Sequence, residues 1–135
     1  MQHMKKLATI VFIILVCASC KKSNTDTATG EKILKEGDCL QNIKGKGITI
    51  CFDNLEQDSR CPANVMCIWR GIAVANFTLK NNQGEIKFKL ADYKFVSYNN
   101  DTTINDVHII LKNITPYPGE VFYSTKNKTA ILEIQ

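Results

Sequence analysis

The stretch Asp58–Leu79, DSRCPANVMCIWRGIAVANFTL, contains the features that decide the fold. It holds two cysteines six positions apart, Cys61 and Cys67, and the only tryptophan of the chain, Trp69. Its second half alternates between apolar and other residues, which is the period of a half-buried β-strand. We therefore expect a disulfide-closed loop that leads into a long strand. Trp69 is expected in the core, and Val65 is expected to hold the loop against that core.

The same two-residue period recurs through the rest of the chain from residue 31 onward. The clearest alternating sets are Ile48/Ile50/Phe52, Ile86/Phe88/Leu90, Val107/Ile109/Leu111 and Ala130/Leu132/Ile134. Turn-forming residues occur between such sets at 44–47, 80–84, 99–101 and 116–119. About seven short strands in roughly 100 residues predict an all-β fold, an immunoglobulin-like antiparallel β-sandwich. A small closed β-barrel is the alternative.

The N-terminus has the pattern of an export signal. Two lysines precede Leu7–Ala18, a predominantly apolar run of 12 residues that is too short to cross a bilayer as a helix and is typical of a secretory signal. The following Cys17–Cys20, CASC, resembles a bacterial lipobox, with Cys20 as the lipidated residue. We expect residues 1–19 to be a lipoprotein signal peptide and Cys20 to carry the lipid, palmitate included. An ordinary cleaved signal and an uncleaved anchor are the alternatives.

Lipidation predicts that the protein is held in the bacterial cell envelope, on the periplasmic face or at the cell surface. Residues 20–30 are mostly small and polar and are expected to form a flexible tether, followed by one domain over 31–135. Loss of the signal lysines lowers the basic residues from 17 to 15 against 13 acidic ones, so the net charge falls from +4 to +2. Without a basic cluster, nucleic acid is not an expected partner. We expect a monomer whose partners are the membrane, through the lipid, and an envelope protein or glycan.

The cysteine count agrees with lipidation. Signal cleavage and lipid attachment use two of the six cysteines and leave Cys39, Cys51, Cys61 and Cys67, an even number for an oxidising compartment. Cys39–Cys51 and Cys61–Cys67 is the simplest pairing, and the two other pairings remain open. A zinc site is the rival, but the spacing lacks the C-x2-C pairs that zinc sites favour. Neither pair has the C-x-x-C spacing of redox thiols.

No catalytic constellation stands out in the mature chain. Only one histidine, His108, follows the signal segment, and its place in an alternating strand predicts a solvent-facing side chain. One histidine excludes a multi-histidine metal site, and no G-x-S-x-G elbow or glycine-rich phosphate loop is present. Asp53, Glu56 and Asp58 are an acidic trio without the glycine and terminal glutamate of an EF-hand. We expect no catalytic residue, no metal and no cofactor.

Residues 58–71 resemble a family of small uncharacterised bacterial lipoproteins. Members share the pattern DSRCPxxVxCxWxG followed by a β-strand, and a later Pro-x-Pro turn is matched here by 116–118. The resemblance implies a lipoprotein with a strand after the motif and implies no defined activity. Cys39 and Cys51 are less typical of the family. Within the motif, Gly71 is expected to leave room beside the indole or to mark a bulge.

The predicted function is a non-enzymatic binding or scaffolding domain held on the envelope by lipid. Residues 58–66 are the candidate binding loop, with Asp58, Arg60 and Asn64 as its polar contact residues. Asp58 and Arg60 are close enough in sequence to pair. One alternative is an inhibitor of a protease or lysozyme that presents this loop, and another is a thiol redox or hydrolytic enzyme. Packing at the edge of the core is expected for the aromatic residues of the later loops: Tyr93, Phe95, Tyr98, Tyr117, Phe122 and Tyr123.

Overall fold

A computed structural model describes residues 30–120 and 127–135 of the 135-residue chain. The predicted signal peptide, the lipidated Cys20 and all of the tether except Gly30 lie outside these residues. In the part of the chain that the structure describes, every regular element is a β-strand. No helix in that part is long and apolar enough to cross a membrane.

Eight strands form two four-stranded antiparallel sheets in the described residues. The strands are β1 (Gly30–Lys35), β2 (Cys39–Ile43), β3 (Ile48–Asp58), β4 (Ala73–Asn81), β5 (Gly84–Ala91), β6 (Asp101–Ile104), β7 (Val107–Thr115) and β8 (Thr129–Ile134). Sheet A has the order β1-β8-β7-β6 and sheet B the order β2-β3-β4-β5. The sheets pack on each other without closing into a barrel, so the predicted β-sandwich is confirmed.

The core lies between the two sheets, where the alternating apolar side chains meet. At its centre the rings of Phe52 and Phe77 lie 5.3 Å apart, and Phe88 stacks on Phe77 at 5.6 Å. Ile50, Leu79, Leu90, Ile109, Leu111, Leu132 and Ile134 are among the side chains buried around them. Each such side chain contributes roughly 1.5–3 kcal/mol when fully buried. The sandwich is therefore the rigid support on which the loops are placed.

Both cysteine pairs predicted from spacing are disulfides in the structure. Cys39 and Cys51 lie opposite each other in the β2–β3 register, with Cα atoms 4.0 Å apart. Cys61 and Cys67 lie in the loop between β3 and β4, with Cα atoms 5.8 Å apart. One bridge thus ties two neighbouring strands of sheet B, and the other closes a loop.

The sandwich has two different ends. The Gly30 end carries the start of β1 and the turns β2–β3, β4–β5 and β6–β7; two of these turns meet where Lys44 Nζ donates to the Asp106 carbonyl at 3.2 Å. The loop end carries the connections 59–72 and 92–100 and the described parts of the β7–β8 connection, residues 116–120 and 127–128. The register places Gly30 beside Ile134 and the opposite end of β1 beside the start of β8. The predicted tether and the longer loops are therefore at opposite ends of the domain.

The expected start of the long strand is wrong. Strand β4 begins at Ala73, so Trp69 and Gly71 belong to the preceding loop. Trp69 is 81% exposed and Val65 54% exposed, and neither is a core residue. Gly71 has φ +70°, and a Cβ atom there would lie 1.8 Å from the Ser59 carbonyl oxygen. The space at Gly71 accommodates this backbone, not the indole, and the left-handed conformation ends the strand pattern.

Candidate functional site

The loop between β3 and β4, residues 59–72, is called the contact loop below. Its two arms are joined by backbone hydrogen bonds: Ser59 N donates to the Ile72 carbonyl, and Cys61 N donates to the Arg70 carbonyl, both at 2.9 Å. The disulfide at Cys61 closes the outer part of the loop. Local bonding thus fixes the base of the loop and the bridge fixes its outer part.

A buried ion cluster holds the base of the contact loop. Arg60 Nε and Nη2 donate to the two carboxylate oxygens of Asp58, each at 2.7 Å, and the two side chains are almost fully buried. Lys128 Nζ lies 3.6 Å from the same carboxylate in a fully buried position. Arg60 Nη1 donates to the Ile114 carbonyl at 2.6 Å, and Lys128 Nζ donates to the Pro116 carbonyl at 3.0 Å. The loop is therefore bonded across to sheet A.

Burial and charge act in opposite directions on this cluster. Burial raises the pKa of Asp58, but the hydrogen bonds and charge of Arg60, helped by Lys128, outweigh it and place the pKa below its usual value. Burial lowers the pKa of Lys128, and the nearby Arg60 charge adds to that decrease while Asp58 opposes it. The Arg60 guanidinium also lies 4.4 Å from the centre of the Tyr117 ring. Removing one partner of such a buried pair costs about 3–5 kcal/mol.

The turn at 116–119 supports the contact loop from the other side. Ala63 N donates to the Pro118 carbonyl at 2.8 Å. A Cβ atom at Gly119 would lie 2.6 Å from Asn64 Oδ1 and 2.8 Å from Ala63 N. The first residues of the closed loop therefore pack directly on this turn, which explains why a glycine with φ +84° occupies position 119.

Four large apolar side chains of the contact loop are exposed, and together they are called the apolar tip: Val65, Met66, Ile68 and Trp69. Met66 is 100% exposed and Ile68 95% exposed. Single exposed apolar residues are ordinary, but a group of them on one loop is typical of an interaction site. Tryptophan is also among the residues that contribute most to protein interfaces.

A second loop, residues 92–100, lies against the contact loop. The Arg70 guanidinium lies 4.1 Å from the centre of the Tyr93 ring, which meets the Phe95 ring edge-on at 6.1 Å. Phe95 and Tyr98 exchange backbone hydrogen bonds of 2.8 and 3.0 Å, and Val96 between them is almost fully exposed. Tyr93 and Tyr98 pack on a small separate cluster of buried residues, Ile72, Val74 and Ala91. The second loop adds exposed apolar surface at the same end of the domain.

The residues predicted to form the binding loop have different positions. Asp58 and Arg60 form the predicted pair, but both point inward, whereas Asn64 is exposed. Met66 and Ile68 were missed as contact residues. The signal for them was present in Val65–Trp69, VMCIW, since five consecutive apolar residues suit neither a strand with one wet face nor an ordinary polar loop.

Of the aromatic residues of the later loops, the described tyrosines pack against protein, whereas Phe95 is 52% exposed and its predicted packing at the edge of the core is wrong. Tyr93, Tyr98 and Tyr117 are half-buried, as expected for residues at the edge of a core. Phe122 and Tyr123 lie outside the described residues. The half-buried rings support neighbouring loops.

A groove on the outer face of sheet B has a volume of about 770 Å³. Its polar side chains bond to one another: Thr78 Oγ1 donates to Asp53 at 2.6 Å, and Lys89 Nζ lies 2.6 Å from Glu56. Asp53, Glu56 and Asp58 therefore have separate partners and do not converge. Among residues 30–120 and 127–135, no group of three or more His, Cys, Asp or Glu side chains is arranged to hold a metal ion.

His108 lies on the outer face of sheet A, where it was predicted to face solvent. Its side chain is 35% exposed, and Nε2 lies 3.0 Å from Asp101 Oδ2. In the register of β6 and β7, His108 lies opposite Thr103, and Asp101 lies opposite Ile110. The histidine thus belongs to a surface pair on a sheet and is separate from the contact loop.

Comparisons of the chain with protein-family models, with curated protein sequences and with solved structures found no match. The resemblance to lipoproteins with the DSRCPxxVxCxWxG motif therefore stays a prediction. The geometry of the contact loop is the main basis for assigning a role to the chain.

Proposed function

We propose that the protein is a lipid-anchored, non-enzymatic binding domain of the bacterial cell envelope that contacts its partner through the apolar tip. The observation that carries the proposal is the exposure of Met66, Ile68 and Trp69 on one disulfide-closed loop. Each large apolar side chain gains roughly 1.5–3 kcal/mol when a partner buries it. Covering the tip is therefore a sufficient source of affinity for a specific complex.

The way in which the contact loop is held supports a binding role. A loop that must become ordered on binding loses affinity, because fixing each side chain and backbone segment costs entropy. Here the disulfide, the Gly71 contact and the buried Asp58–Arg60 pair fix the loop before a partner arrives. The tip is thus preorganised, and most of the energy gained by burial is available for binding.

The envelope location rests on the N-terminal pattern. The apolar run and the CASC lipobox at Cys17–Cys20 support lipidation of Cys20, and the two disulfides suit an oxidising compartment. A lipid anchor with a short polar tether keeps the domain close to one membrane. Binding at the loop end then serves to hold or organise an envelope partner.

The test compares co-purification from envelope extracts with tagged full-length protein. The double variant Met66→Ser/Trp69→Ser removes the centre of the tip, and Ile33→Ser is the matched control because Ile33 is 69% exposed on the outer face of sheet A. We expect the envelope component bound by the wild type to be lost from the tip variant and kept by the control. Both variants should change the unfolding free energy by less than about 0.5 kcal/mol, because exposed sites contribute little. A partner kept by the tip variant, or broad hydrolase activity of the wild type, would contradict the proposal.

A second candidate function, inhibition of a protease or lysozyme, is favoured by the same loop. A stapled, preorganised loop with exposed apolar side chains is suited to entering an enzyme's cleft. The test is inhibition of a panel of lysozymes and cysteine proteases by the wild type and by Met66→Ser/Trp69→Ser. Inhibition that the tip variant loses would support this role, and failure against the whole panel would remove it.

A further inference from the structure

We propose further that the partner of the apolar tip is a protein with an acidic rim around an apolar pocket, and that it lies away from the membrane that holds the lipid. This inference rests on the proposed function and adds the class of partner and the direction of binding. Two features carry it: the positions of the two ends of the sandwich, and the charge around the tip.

The first feature is the distance between the tether and the tip. Gly30 and the contact loop are at opposite ends, and the 11 residues of β3 alone extend about 36 Å. Residues 20–30 join the domain to the proposed lipid on Cys20 and reach at most about 40 Å when fully extended. The Gly30 end is then the end near the bilayer, and the tip points away from it. For the tip to touch the same bilayer end-on, residues 20–30 would have to be extended to nearly their maximum length of about 40 Å.

The second feature is a pair of exposed cations beside the tip. Arg70 follows Trp69 directly and is held over the Tyr93 ring, and Lys94 is exposed on the second loop. Within the described residues neither cation has a carboxylate at ion-pair distance. The carboxylates at this end accept backbone hydrogen bonds instead: Asp92 from Ala73 N at 3.0 Å and Glu120 from Tyr117 N at 2.9 Å. A surface of this kind is complementary to an apolar pocket rimmed by carboxylates.

The same charges distinguish a different protein from a second copy of this chain. A two-fold dimer places the same patch of each subunit against the other, so both copies would bring Arg70 and Lys94 into one interface. Like charges across an interface oppose association. Self-association through the tip is therefore disfavoured, while an acidic partner gains from both cations.

The experiment is site-specific photo-cross-linking in intact cells that produce the full-length, lipidated chain. A benzophenone amino acid replaces Ile68 or Val96 at the loop end, and Asn82 in the β4–β5 turn is the control position at the Gly30 end. We expect the same cross-linked protein from Ile68 and Val96 and at least ten times less of it from Asn82. Adding Arg70→Glu and Lys94→Glu should lower the yield at least tenfold.

Other adducts overturn the inference in distinguishable ways. Phospholipid adducts from the tip would mean that a bilayer, not a protein, is bound, and covalent dimers of this chain would mean self-association. If the same protein adduct forms equally well after charge reversal, the partner does not have the proposed acidic rim. Yields at the tip no higher than at Asn82 would overturn the proposed binding function together with this inference.

Discussion

Gly71 has a backbone conformation that few other residues tolerate, and its neighbours leave no room for a side chain. Its φ of +70° is in the left-handed region, and a Cβ atom would lie 1.8 Å from the Ser59 carbonyl oxygen and 2.7 Å from the Arg60 Cα atom. Both atoms belong to the opposite arm of the contact loop, so neither can rotate away. Any side chain at this position must separate the two arms.

We predict that Gly71→Ala destabilises the domain by roughly 2–4 kcal/mol, through left-handed strain and overpacking. Gly45→Ala is the matched control, since Gly45 has φ +68° and no heavy atom within 4 Å of an added Cβ. The control should lose only about 1 kcal/mol. Urea unfolding followed by circular dichroism measures both, and equal losses would show that the close contact with Ser59 is not limiting.

The ion cluster makes the stability depend on pH in two separate windows. The folded pKa of Asp58 is lowered because Arg60 outweighs the effect of burial, so its contribution is complete above the unfolded value of about 4 and is lost as the pH falls through the folded value. The folded pKa of Lys128 is lowered by burial. Its cost is present at neutral pH and is relieved as the pH rises from the folded pKa toward the unfolded value. Stability therefore rises with pH in both windows.

We predict that Asp58→Asn lowers the unfolding free energy at pH 7 by about 3–5 kcal/mol, because Arg60 and Lys128 remain buried after the Asp58 charge is removed. The variant should also lose less stability below about pH 4 than the wild type does. Urea unfolding at a series of pH values between about 2 and 7 measures both effects. If Asp58→Asn reduces the domain to a largely unfolded state, Lys128→Met supplies the second measurement, since it should remove the gain in stability at alkaline pH.

The control for the ion cluster is Glu56→Gln. Glu56 also has a lowered pKa, caused first by its hydrogen bond to Lys89, but this pair lies on the exposed face of sheet B. Exposed pairs contribute little, because water screens them and the long side chains lose freedom. The control should leave the pH 7 stability near that of the wild type. A loss as large as that of Asp58→Asn would mean that burial is not what makes the cluster important.

Strands were the elements that the sequence predicted best. The alternation of Ile86, Phe88 and Leu90 fits β5, and that of Val107, Ile109 and Leu111 fits β7. A sheet with one buried face requires this period, so the pattern follows directly from the packing. It also predicted a sandwich, because two such faces must cover each other.

The contact loop was harder to predict, because its structure depends on contacts between distant residues. The apolar alternation through Trp69 and Gly71 looked like the start of β4, and only the Ser59 backbone opposite Gly71 shows that it is not. Arg60 is held inside by a hydrogen bond to the Ile114 carbonyl, 54 positions later in the chain. A contact over this distance leaves no signal in the local sequence pattern. Hydrophobicity alone also does not separate a core tryptophan from an exposed contact residue.

The two disulfides give the contact loop a matched comparison. Replacing Cys61 and Cys67 by serine should lower stability by roughly 2–3 kcal/mol, and replacing Cys39 and Cys51 should do about the same, since both bridges close short loops. Only the first pair fixes the apolar tip. We therefore predict that Cys61→Ser/Cys67→Ser also weakens co-purification of the partner, while Cys39→Ser/Cys51→Ser does not.

Thermal unfolding and co-purification of the two double variants measure these effects. Unchanged stability with lost binding in Cys61→Ser/Cys67→Ser would mean that this bridge acts in recognition and not as a structural staple. Lost binding in the Cys39→Ser/Cys51→Ser variant would place the contact surface on sheet B.

At the scale of the whole molecule, the fold separates the proposed point of attachment from the proposed contact surface. Gly30 continues into β1 at one end, and both exposed apolar loops lie at the other. A core of this size buries a modest share of the chain's surface, and the disulfides and the buried ion cluster add stability close to the loop end and along sheet B. The tip can therefore be rigid in a small domain that is tethered at its far side.

The attachment itself is tested by Cys20→Ser, with Cys17→Ser as the matched control in the same lipobox. The lipid on Cys20 is expected to be the membrane anchor, because acyl chains buried in the bilayer hold a protein at the membrane. We predict that Cys20→Ser abolishes palmitate labelling and moves the protein from the membrane to the soluble fraction of cells. Cys17→Ser should keep both, because cleavage before Cys17 would put the bulky Val16 at the cleavage point. Palmitate label that persists in Cys20→Ser, or that disappears in Cys17→Ser, would show that another residue carries the anchor. The inferred direction of the apolar tip would then also be wrong.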